Sequence, residues 1–69
     1  MRIDTLYEFI LLATNLNFTD TAKSFFIAQS ALSNHISKLE RELGAKLFTR
    51  DNRAVALAKV GKSFLEDAK

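Results

Sequence analysis

The sequence contains no cysteine, which excludes a disulfide framework and any thiolate metal site. Its single histidine, His35, leaves no set of imidazoles to hold zinc. Proline is absent, glycine occurs twice, and there is neither an internal repeat nor a low-complexity stretch. Long apolar runs are also missing. Residues 10–13 are apolar, but Thr14 and Asn15 follow at once, too soon for a membrane span or a secretory leader. The chain therefore reads as cytosolic, with no membrane partner. At 69 residues it forms one small domain. Domains of this size bury only about 60% of their unfolded surface, so the core alone is marginal. Without disulfide or metal, stability has to come from helix packing, oligomerisation or attachment to a longer chain. The length also leaves few residues for an enzyme pocket once a core is made.

What is present is globular in composition: 48% hydrophobic and 26% charged residues, with a formal net charge of +2. The charge is unevenly placed. Residues 21–63 carry eight basic side chains against three acidic ones, whereas residues 1–20 and 64–69 are net acidic. A basic middle is the first hint of a polyanionic partner.

Leu6, Phe9, Ile10 and Ala13 recur at helical spacing, with Asp4 and Glu8 early, where the helix dipole favours negative charge. Asn17 is a good N-cap for a second helix running to about Phe25, with Phe18, Ala22 and Phe25 inward. A tight connection at residues 26–28 leads to a third helix from about Gln29 to Leu43. Its inward stripe is Leu32, Ile36, Leu39 and Leu43, and Gly44 closes it. The period then changes to strand-like over residues 47–49 and 54–57, which flank the polar tip at residues 50–53 and predict a β-hairpin. A fourth helix starts near Ala58 or Lys59 and places Val60, Phe64, Leu65 and Ala68 on one side. Met1 reads as a natural start and no residue closes the last helix, so an N-terminal piece of a longer protein is expected.

The polar face of the third helix carries Gln29, Ser30, Ser33, Asn34, Ser37, Lys38 and Arg41. Gln and Asn can pair with adenine in the major groove, and Ser can contact any base. Arg50 and Arg53 at the hairpin tip suit phosphates or a narrow minor groove. Phe26 reads as partly exposed and His35 as a solvated side chain beside the polar face, with a phosphate contact as its alternative. Glu40 reads as structural, paired with Arg or with backbone amides. An enzyme is excluded on the residues: His35 lies two positions from Ser33 and faces away from it. Paired carboxylates and a phosphate-cradling Gly loop are missing too. A DNA-binding domain and a protein-interaction or dimerisation module both remain compatible with the pattern.

Phe18-Thr19-x-x-Ala22, Gln29-Ser30-Ala31-Leu32-Ser33, Ile36-x-x-Leu39-Glu40, Leu43-Gly44, Leu47-Phe48-x-Arg50, Arg53-x-Val55-x-Leu57 and Gly61 together resemble the N-terminal domain of LysR-type transcriptional regulators of bacteria. The resemblance spans residues 3–66. It implies a mainly α fold, a winged helix-turn-helix with a three-helix core and a short hairpin wing (residues 1–58), and then the start of a linker helix (residues 59–69). It also implies sequence-specific binding of double-stranded DNA. Carried over to this chain, base reading falls on Gln29, Ser30, Ser33 and Asn34. Phosphate or wing contacts fall on Thr19, Lys38, Arg50 and Arg53, and dimerisation on Phe64, Leu65 and Ala68. A homodimer through the linker helix is implied, a tetramer for the full-length protein, and a small-molecule effector only through a C-terminal domain that this chain lacks. No cofactor, metal or catalytic residue is expected. Four positions depart from the family pattern. Ala28 replaces a capping Ser or Thr, Asn34 replaces Arg, Ala58 replaces Thr, and Val60 stands where a small residue is usual. Loss of such a cap costs about 1 kcal/mol.

Overall fold

The first helix, α1 (Ile3–Asn15), is wrapped on several sides rather than along one stripe. A computed structural model describes residues 3–50 and 54–68. After α1 the described elements are α2 (Phe18–Ser24), α3 (Gln29–Leu43), β1 (Phe48–Arg50), β2 (Val55–Leu57) and α4 (Lys59–Ala68). This is the predicted order of a winged helix-turn-helix, with the hairpin as wing. α1 packs against α2, α3 and α4. That explains why its deepest residues are Phe9 and Leu12, with Glu8 also buried, while Leu6, Ile10 and Ala13 are half-buried. The sequence stripe omitted Leu12 and read Glu8 only as an early charge favoured by the helix dipole, not as a buried one. Both are corrected by the three-sided packing of α1.

Asn17 accepts a hydrogen bond from the Asp20 backbone N–H at 3.0 Å, the predicted cap of α2. Phe18, Thr21 and Ala22 are buried, and Phe25 is half-buried at the C-cap. α3 begins at Gln29 even though Ala28 supplies no side-chain cap, so the altered residue does not shift the helix start. Leu32, Ile36 and Leu39 are buried as expected. Leu43, expected inward, is 40% exposed because it ends the helix where Gly44 turns the chain away.

The three helix ends share one device. Gly44 (φ 70) closes α3 with its own N–H on the Arg41 carbonyl and the Ala45 N–H on the Glu40 carbonyl. Phe26 (φ 58) closes α2 in the same way, with its N–H on Lys23 and that of Ile27 on Ala22. These are Schellman pairs, and their central residue must be left-handed. Leu16 (φ 54) closes α1 through its N–H on the Leu12 carbonyl.

The strands pair antiparallel, with Phe48 opposite Leu57, Thr49 opposite Ala56 and Arg50 opposite Val55. Leu47, predicted to lie in the first strand, sits just before it and is fully buried; Ala54 lies just outside the second. Phe9 contacts the rings of Phe48 and Phe64 at centroid distances of 5.6 and 5.1 Å, which ties α1 to the wing and to α4. α4 approaches the residue before β1 so closely that a Cβ at Gly61 would stand 2.2 Å from the Leu47 carbonyl oxygen. A glycine is required there by space alone. Phe64 and Leu65, expected on a dimerisation face, pack against this chain's own core, whereas Val60, expected on the same side, is 47% exposed. The core between α1 and the wing draws the two larger side chains inward.

Candidate nucleic-acid interface

The buried stripe of α3 fixes its opposite face toward solvent. Gln29, Ser30, Asn34, Ser37, Lys38 and Arg41 are exposed and Ser33 is half-buried, so all four expected base-reading residues share one outward side of one helix. The helix is anchored at two further points. His35 Nδ1 lies 2.8 Å from Glu8 Oε1, the carboxylate buried and the ring partly open. His35 is therefore not the solvated side chain expected from sequence. It joins α3 to α1 across an open groove of about 600 Å³ that Lys38 also lines. Glu40 Oε2 accepts from the backbone N–H groups of Leu47 (2.7 Å) and Phe48 (3.3 Å), which ties α3 to the start of the wing. Of the two expected partners for Glu40, the structure selects backbone amides; Lys46 Nζ stands 4.0 Å from its other oxygen.

Thr19 and Gln29, expected as a phosphate contact and a base reader, are brought together. The Thr19 hydroxyl donates to Gln29 Oε1 at 3.1 Å. Arg50, at the end of β1, lies with its guanidinium carbon 4.0 Å from the Phe18 ring centroid. The ring face attracts the cation and the plane of the guanidinium can lie flat on it, so Arg50 is held between the wing and the start of α2. Arg53 lies outside the described residues. Exposed Lys38, Arg41, Lys46 and Arg50, with Lys59 and Lys62 at the start of α4, spread positive charge over the helix, the wing and the next helix. Among the described residues no group of three or more His, Cys, Asp or Glu could hold a metal ion. Among them, too, no helix is long and apolar enough to cross a membrane.

The sequence reading missed the Glu8–His35, Thr19–Gln29 and Phe18–Arg50 contacts. Their partners lie on different elements, and no local spacing announces them.

The sequence matches the family described as bacterial regulatory helix-turn-helix protein, lysR family, over residues 3–62. It is 46% identical over 69 residues to the HTH-type transcriptional activator IlvY of Haemophilus influenzae, covering all of this chain and 24% of that protein. The chain spans less than half the length of the curated relatives it matches. Among solved structures it resembles a LysR-family transcriptional regulator from Eggerthella lenta (TM-score 0.86, 34% identity, 99% of this chain and 96% of the other). It also resembles the BenM DNA-binding domain in complex with catB site 1 DNA (TM-score 0.91, 35% identity, 99% of this chain and 73% of the other). A helix-turn-helix and wing that match throughout, on a sequence that matches over nearly its whole length, place this chain in the lysR family of bacterial regulatory helix-turn-helix proteins.

Proposed function

We propose that this chain is a sequence-specific double-stranded DNA-binding domain of a transcriptional regulator. α3 enters the major groove, Gln29, Ser30, Ser33 and Asn34 address base edges, Lys38 addresses phosphates, and Arg50 addresses phosphates or a minor groove. Arg53 belongs to the same wing contact. The observation that carries this reading is the outward face of α3. It is polar, free of carboxylates from Gln29 to Leu39, and held rigid by the buried stripe and by the Glu8 and Glu40 anchors. A solved relative bound to DNA supports it. In the whole protein the reading extends to a cytoplasmic homodimer paired through α4, with Ala68 and the exposed Val60 beside the partly covered Phe64 and Leu65. A higher assembly and a small-molecule effector would belong to further chain. No catalytic step is part of the reading.

The test is selection of bound duplexes from a random pool. Enrichment of a half-site, repeated with two-fold symmetry when the domain pairs, is expected. Gln29→Ala should relax the preference at one base pair, at a cost of about 1–3 kcal/mol. Recovery of an unenriched pool overturns the proposal.

A further inference from the structure

Gln29 stands exposed at the first position of α3, where a long amide side chain is ordinarily free to rotate. Here it is not free. The hydroxyl of Thr19, ten residues earlier on α2, donates to its Oε1 at 3.1 Å. A hydroxyl has one proton to give, and a glutamine amide has one acceptor oxygen and two N–H donors. The contact therefore occupies one lone pair of Oε1 and restrains where the amide sits, while neither N–H donor of the amide is spent on Thr19. It also removes rotamer freedom before any ligand arrives, a cost that a floppy glutamine would meet on binding.

We propose that Thr19 is a positioning residue for base readout. It fixes Gln29 so that its amide presents donors, which favours a base with major-groove acceptors and disfavours cytosine, whose groove edge offers an amino donor. The inference rests on the DNA-binding reading above and gives Thr19 a different role from the phosphate contact expected by resemblance. A hydroxyl spent on Gln29 has no second proton for a phosphate oxygen.

The experiment measures affinities of the full chain for a panel of duplexes that differ only at the base pair read by Gln29. The proteins are wild type, Thr19→Val, Thr19→Ser, Gln29→Ala and the double variant. Thr19 is exposed, so a valine of the same shape leaves the core untouched. The discrimination of wild type against cytosine should fall about three- to tenfold in Thr19→Val, the range of one net hydrogen bond. It should return in Thr19→Ser. In the Gln29→Ala background the Thr19→Val change should have no effect, because there is nothing left to position. Unchanged discrimination in Thr19→Val overturns the inference. So does a uniform loss of affinity across the panel that persists without Gln29 and makes the salt dependence shallower, since that marks a phosphate contact. Wild type without preference anywhere in the panel overturns the DNA-reading proposal itself, and this inference with it.

Discussion

Phe26 holds its backbone at φ 58 with 95% of its surface in solvent. It occupies the left-handed position that closes α2, as Gly44 does for α3. The glycine could be assigned that position from sequence because its missing side chain announces it. A phenylalanine announces the opposite, so only partial exposure was legible at position 26. The Cβ of an L-residue in this conformation costs about 1–2 kcal/mol. Phe26→Gly removes that cost and loses little packing, since the ring is almost wholly exposed. Freedom regained by the unfolded chain returns about 0.4–1 kcal/mol of the gain. The net expectation is a domain more stable by about 1 kcal/mol, a midpoint about 4–8 °C higher by circular dichroism. A lower midpoint would show that the ring contributes packing that outweighs its backbone strain.

At the scale of elements, what was legible followed from chemistry confined to one segment. The amphipathic period and a glycine defined α3 from Gln29 to Leu43, Asn17 capped α2, and the change to alternation marked the wing. The bonds between elements were not legible in detail. Glu8 and His35 are 27 residues apart, and a helical wheel of either element shows only a solvated charge. Glu40 is the instructive intermediate case. A carboxylate late in a helix suggested a structural partner, but the choice between arginine and backbone amides needed the fold. Its Oε2 receives the Leu47 N–H at 2.7 Å, and Leu47 is fully buried, so water has poor access to replace the lost acceptor. Glu40→Ala should therefore destabilise the domain by about 2 kcal/mol, within the range for charge-assisted bonds and an orphaned buried donor. Glu40→Gln keeps an acceptor and should lose less. Hydrogen exchange should report the loss at the Leu47 and Phe48 amides before the rest of the hairpin. Equal exchange in Glu40→Ala and wild type would mean that the wing is positioned without this carboxylate.

For the molecule as a whole, the net charge of +2 understates the field that a duplex would meet. Among the described residues the exposed cations sit on α3, around the wing and at the start of α4, with Lys23 on α2, while the exposed carboxylates are Asp4 and Asp20 on the first two helices, Glu42 in the last turn of α3, and Glu66 and Asp67 toward the far end of α4. A polyanion approaching the outward face of α3 therefore meets Lys38, Arg41 and Arg50 first. Each phosphate neutralised releases condensed counterions, so the logarithm of affinity should fall linearly with that of salt, with a slope of about −0.9 per contact. Arg50 adds to this field a restricted position, its guanidinium 4.0 Å from the Phe18 ring centroid. Arg50→Ala should weaken binding to preferred and random duplexes by a similar factor and make the slope shallower by about 1, as expected for a phosphate contact. The same substitution removes the cation from Phe18, a contribution to stability of about 0.5–1 kcal/mol at an exposed site. A salt titration of fluorescence anisotropy, read beside a thermal melt, separates the two effects. A loss confined to the preferred duplex, at an unchanged slope, would reassign Arg50 from phosphate to base reading in the minor groove. An unchanged affinity for both would remove it from the interface and leave the stacked guanidinium with a structural role alone.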